Sequence, residues 1–137
     1  MKKTILFSLL FLASLMLAQK NPTVVGNDRD IHGCIGSAGY TYSQIKNECV
    51  RVFEQKIKLK EVDGDKSYST MTAVIFSKNM KKAEIFIPDG AAKSIILERQ
   101  GKSKIWKSGK AIKDAYVLVP YRKKGYQIKK NDVVIYQ

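Results

Sequence analysis

The chain has 137 residues but a single histidine, His32, and only two cysteines, Cys34 and Cys49. A lone histidine excludes a zinc site built on a histidine cluster. Two cysteines with no Cys-x-x-Cys spacing supply neither a zinc ribbon nor a dithiol redox motif. Acidic residues are scarce as well: 12 Asp+Glu stand against 25 Lys+Arg, a formal net charge of +13. Those few acids are scattered, so they offer no paired carboxylates of the kind glycoside hydrolysis needs. No helical crossover separates the strand-like segments, which argues against a parallel α/β sheet. The charge does not mean disorder. With 45% hydrophobic residues the composition is that of a folded domain, and the length allows one.

What is present begins with an address. Lys2 and Lys3 form a positive start, and Thr4–Leu17 is apolar apart from Thr4, Ser8 and Ser14. Met16-Leu17-Ala18 offers a small-residue cleavage site, so residues 1–18 read as a secretory leader with Gln19 as the new N-terminus. The run is too short and too early for a membrane span, and no transmembrane segment is expected after cleavage. No cysteine lies near the cleavage point, which argues against a lipoprotein. Loss of Lys2 and Lys3 lowers the charge to +11. Export to the periplasm or beyond puts Cys34 and Cys49 in an oxidising compartment, where a disulfide is expected over two free thiols. A bridge of that span stabilises by about 3 kcal/mol in the chain-entropy account.

Residues 19–51 read as a glycine-rich segment closed by that bridge, and 52–137 as a β domain. Ser43–Cys49 is expected to form one or two helical turns with Ser43 as cap. From there the period becomes two: Ile57 and Leu59 alternate with Lys56, Lys58 and Lys60. Turn signals recur at Asp63-Gly64-Asp65, Lys78–Lys81, Pro88-Asp89-Gly90, Gln100-Gly101-Lys102, Arg122–Gly125 and Lys130-Asn131-Asp132. About seven or eight short strands at regular spacing predict an all-β fold, an antiparallel meander closed into a small barrel or sandwich.

Three patterns invite chemistry. Asp28-x-Asp30-x-His32-Gly33 resembles the opening of a calcium loop, but the twelfth position, which should be Glu, is Gly39. An Asx-bonded turn is the expected reading there. Gly36-Ser37-Ala38-Gly39 echoes a nucleophile elbow without the strand-to-helix context. No catalytic residue, metal ligand or cofactor is therefore assigned. Basic residues cluster at turns: Lys78, Lys81 and Lys82; Lys102, Lys104 and Lys107; Lys110 and Lys113; Arg122, Lys123 and Lys124; Lys129 and Lys130. They read either as solvated edge guards or as a polyanion surface, with Trp106, Tyr121 and Tyr126 as stacking or packing groups.

The stretch Asp28-x-Asp30-x-His32-Gly33-Cys34-Ile35-Gly36-Ser37-Ala38-Gly39-Tyr40-x-Tyr42, followed by Cys49-Val50-Arg51-x-Phe53-Glu54, resembles a disulfide-closed motif of small exported bacterial proteins. The succession of short hairpins from Val52 to Gln137 is similar to the small barrel of the periplasmic inhibitors of c-type lysozyme. The ending Gly125-Tyr126-Gln127-Ile128 … Val133-Val134-Ile135-Tyr136 carries that likeness. In that family a Ser-Gly-x-x-Tyr loop and a later Lys-Gly turn plug the enzyme cleft. Ser108-Gly109 corresponds to the first, with Ile112 in the tyrosine's place, and Lys124-Gly125 to the second. The resemblance implies a non-enzymatic binding module whose contacts are Ser108, Gly109, Lys110, Lys123 and Lys124. Its partner would be a protein, such as a cell-wall hydrolase. The alternative is a basic envelope protein that binds anionic glycan, lipopolysaccharide or extracellular nucleic acid.

Overall fold

The computed structural model describes residues 28–62, 70–88, 93–110, 112–123 and 125–137. The leader read at 1–18, the lead-in 19–27, the turn residues Asp63-Gly64-Asp65 and the candidate Lys124 lie outside the described residues. Among the described residues there are ten strands: β1 Tyr40–Ser43, β2 Glu48–Arg51, β3 Ile57–Lys60, β4 Met71–Phe76, β5 Lys82–Phe86, β6 Ser94–Arg99, β7 Trp106–Ser108, β8 Tyr116–Tyr121, β9 Gly125–Lys130 and β10 Val133–Tyr136. β1 and β2 form a separate hairpin, and β3 to β10 pair in chain order as one antiparallel sheet. Short hairpins make that order the cheapest in loop-closure entropy.

The sheet curls round until its two edges meet. Lys60 and Gln137 exchange backbone hydrogen bonds of 2.8 and 2.9 Å, and Val62 N–H donates to the Ile135 carbonyl at 3.0 Å. Closure of this kind removes exposed strand edges. The alternation seen in the sequence sets the faces. Leu59, Val74, Ala83, Ile85, Leu97, Trp106, Leu118, Ile128 and Tyr136 point inward and share one buried cluster. Lys58 and Lys60 point out. An eight-stranded barrel is just wide enough for its side chains to fill, and Ile85, Leu97, Leu118 and Ile128 are wholly buried within it.

β4 and β5 are largely buried on both faces. Their outward side chains Ala73, Ile75 and Phe86 form a second cluster with Val50, Ile45 and Val52 from the N-terminal segment. The β1–β2 hairpin therefore lies on the outside of the barrel wall. Cys34 and Cys49 are disulfide-bonded, with Cα atoms 5.6 Å apart. Gly39 holds the bend into β1 at φ +78, where a Cβ would come within 3.1 Å of the Phe53 ring.

The helical expectation for Ser43–Cys49 is corrected. Ser43 ends β1, residues 44–47 turn, and Glu48 begins β2. The turn closes through Asn47 N–H to the Ser43 carbonyl at 2.8 Å, with Asn47 at φ 56. Asparagine tolerates that left-handed conformation. Ser43 Oγ does accept the Lys46 N–H at 3.1 Å, as a cap would, but the chain turns back after it. The reason is tertiary. Glu84, an outward residue of β5, is fully buried beneath the turn. Its carboxylate accepts Ser43 Oγ–H at 2.6 Å, Gln44 N–H at 2.9 Å and Ile45 N–H at 3.2 Å. Those donors offset the cost of taking a carboxylate out of water.

Candidate functional site

In an antiparallel meander successive turns alternate between the two ends of the barrel. The β4–β5, β6–β7 and β8–β9 turns share one end; the β7–β8 and β9–β10 connections share the other. Charge divides along the same line. Residues 77–82, 98–104 and 122–123 hold eight cations, Lys78, Lys81, Lys82, Arg99, Lys102, Lys104, Arg122 and Lys123, and one acid, Glu98. Among the described residues none of the eight is in an ion pair. All are exposed except Arg99, which is half-buried.

The floor of this basic end is aromatic. Phe76, Trp106 and Tyr126 meet with ring centroids 4.8, 5.2 and 6.2 Å apart, in tilted and edge-on arrangements that suit ring quadrupoles. Trp106 is only 1% exposed, so it packs and offers no stacking face. Its indole N–H donates to the Met80 carbonyl at 3.0 Å and fixes the β4–β5 turn. Tyr126 is packed against the core, and Arg122 lies 5.0 Å from the Tyr121 ring. Of the three aromatics interleaved with lysine in the sequence, Trp106 and Tyr126 thus support the end more than they present it, and half-buried Tyr121 lies beside Arg122.

At the opposite end one pair of charges is tied. Lys130 Nζ meets Asp114 Oδ2 at 3.0 Å and lies 5.8 Å from the Tyr116 ring centroid. Asn131 Nδ2 donates to Asp114 Oδ1 at 3.2 Å, and Asn131 Oδ1 accepts Ala115 N–H at 2.9 Å. The Lys130 ammonium, then the Asn131 amide, hold the Asp114 carboxyl below the usual range; the same ion pair raises the Lys130 pKa.

The structure separates the residues that the sequence suggested would act together. Ser108 ends β7, where its Oγ accepts Tyr116 N–H at 3.0 Å. Gly109 and Lys110 continue into the β7–β8 connection at the tied end. Lys123 stands on the β8–β9 turn at the basic end. That turn is closed at Gly125, where a Cβ would come 2.9 Å from the Tyr121 carbonyl oxygen. Sequence reasoning named Lys81, Lys82 and Lys102 only among many lysines and passed over Arg99 and Glu84. Counting charge over alternate turns, which share an end, would have found the first group.

The N-terminal patterns serve the backbone. Asp30 Oδ1 accepts His32 N–H and Cys34 N–H, each at 2.9 Å, as an Asx turn does. Asp28 Oδ2 accepts Ser37 N–H. These bonds, from Cys34 above all at Asp30 and from Ser37 at Asp28, lower both carboxyl pKa values. The His32 ring stacks on Tyr42 at 3.7 Å between centroids. No protein-family model, curated protein or solved structure matches this chain.

Proposed function

We propose that this chain is an exported, non-enzymatic binding module that takes an anionic polymer on the basic end of its barrel. The observation that carries this reading is the gathering of eight cations, with Glu98 as their single acidic neighbour, on three turns that a closed meander brings to one end. Cations left without ion pairs gain most from releasing the counterions of a polyanion. The disulfide is compatible with an oxidising, exported setting. Envelope polysaccharide, lipopolysaccharide phosphate and extracellular nucleic acid all present such a charge. The filled barrel interior argues for binding on the outside.

The inhibitor-like alternative asks Ser108, Gly109 and Lys110 to act with Lys123 and Lys124. The first three stand at the opposite end from Lys123. A strongly basic chain is also repelled at long range by a basic hydrolase.

Chromatography on immobilised heparin tests the proposal. The protein is expected to be retained and released by moderate salt. A Lys81→Glu/Lys102→Glu variant should elute at distinctly lower salt, whereas Lys110→Glu/Lys113→Glu at the tied end should shift little. Elution of the wild type in the low-salt wash would overturn the reading. Stoichiometric suppression of a muramidase would establish the alternative in its place.

A further inference from the structure

We infer that the hollow between the β4–β5 and β6–β7 turns is a binding site for a compact phosphoryl group bearing two or more negative charges. The inference rests on the polyanion reading of the same end and narrows it from a charged end to one built site. The hollow encloses about 520 Å³ and is lined by Asn79, Lys81, Lys82, Glu98, Arg99 and Lys102, with Gly101 at its rim. Four cations face one carboxylate there. Glu98 stands opposite Lys82 in the β5–β6 register without an ion pair among the described residues, and in the charge count it offsets one of the four. A monoanion would leave the remaining charge uncompensated, whereas a phosphomonoester or diphosphate matches it.

The frame around these side chains is fixed before any ligand arrives. Arg99 N–H donates to the Lys81 carbonyl at 2.8 Å and ties the two turns together. Asn79 Oδ1 accepts Ser77 Oγ–H at 2.8 Å and Lys81 N–H at 3.1 Å, which sets the β4–β5 turn. Arg99 Nε donates to the Ser103 carbonyl at 2.6 Å and Nη2 to the Lys102 carbonyl at 3.2 Å, so the guanidinium is held by its own turn. Its carbon lies 5.8 Å from the buried Trp106 ring. Gly101, at φ +57, has open space where a Cβ would stand, so the rim there is bare backbone. The backbone frame and the Arg99 guanidinium are thus set in advance, and only the three lysine side chains must be ordered on binding. Arg122 and Lys123, on the β8–β9 turn of the same end, lie outside the hollow. They serve as an internal control.

Calorimetric titration of the purified protein with inorganic pyrophosphate tests the site. Binding is expected, and Lys82→Gln/Lys102→Gln should weaken it by about tenfold or more, the loss of two charge-assisted contacts. Arg122→Gln/Lys123→Gln should change it by less than about twofold. Both double variants should move heparin elution to lower salt by similar amounts, and both should keep the wild-type unfolding midpoint. Indifference of the wild type to pyrophosphate, with heparin retention intact, overturns the site and leaves the broader reading standing. Equal losses of pyrophosphate affinity in the two double variants also overturn the site, because they indicate diffuse charge. Failure of the wild type to bind heparin overturns the reading beneath it. A vesicle arm separates the sources of the group. Sedimentation with phosphatidic acid vesicles, reversed by pyrophosphate and absent with phosphatidylcholine alone, assigns a lipid-borne phosphoryl group. Pyrophosphate binding without sedimentation assigns a soluble one.

Discussion

At the β7–β8 and β9–β10 end of the barrel, Lys130 is bonded to Asp114, and Asn131 bridges Asp114 and Ala115. At the other end, eight cations share three turns with a single acid and make no ion pair among the described residues. Among the described residues, a lysine is tied into the structure at Lys130, where an acid meets it, and left without an ion pair on the three turns of the other end. Net charge conceals this, because a meander deals its turns alternately to two ends. Glu98 apart, the turns at the basic end carry no acid, and the positive charge there is left unbalanced.

Three further measurements break or sharpen that contrast. Trp106→Ala removes the floor of the basic end and should destabilise the fold by about 3–5 kcal/mol, read by denaturant unfolding. A cost under about 1 kcal/mol would mean the turns are held by their own hydrogen bonds and not by the aromatic plug. At the tied end, Asn131→Ala loses the bonds to Ala115 and Asp114 and leaves alanine at φ 48. A loss of about 1–2 kcal/mol is expected. Asn131→Gly keeps the backbone freedom, so any difference between the two variants isolates the conformational part. The smallest effect is that of pH. The folded Asp114 pKa lies below its ordinary value, so the contribution of the pair is present above the usual aspartate range and drains away as pH falls through the lowered value. Acidification should therefore loosen amide protection in residues 112–115 before it touches the β6–β7 turn. Because Asp114 and Lys130 both reach solvent, with side chains 34% and 40% exposed, salt should reproduce part of that loosening at neutral pH. Identical acid sensitivity of both turns would erase the distinction.

Much of the barrel was legible because its chemistry is local. The alternation of Ile57 and Leu59 with Lys56, Lys58 and Lys60 reports which face is wet, and Asn131-Asp132 and Gly101 mark places where the chain takes positive φ. Strand order followed from short turns and the absence of crossovers. The hairpin turn after Ser43 was illegible for the opposite reason. Residues 43–49 have the caps and polar spacing of a helical turn, and what prevents one is Glu84, 41 residues from Ser43. The acid itself was a clue, since Glu84 sits in the otherwise apolar run Ala83–Ile87 of a strand with both faces buried. The candidate contacts Ser108, Gly109, Lys110, Lys123 and Lys124 came from the likeness of Ser108-Gly109 and Lys124-Gly125 to two short inhibitor-family motifs, a one-dimensional criterion. Their separation depends on parity along the meander, which no window of a few residues contains.

The buried carboxylate of Glu84 also sets an order of assembly. Its outward face exists as a surface only after β4 and β5 have paired, a closure across a few residues. The hairpin turn that satisfies it lies some 40 residues upstream, so its docking bears the larger loop-closure entropy and follows. The amides of Gln44 and Ile45 donate straight into that carboxylate. Their exchange with solvent is thus a clock for the arrival of the hairpin, running separately from the amides of the barrel it covers.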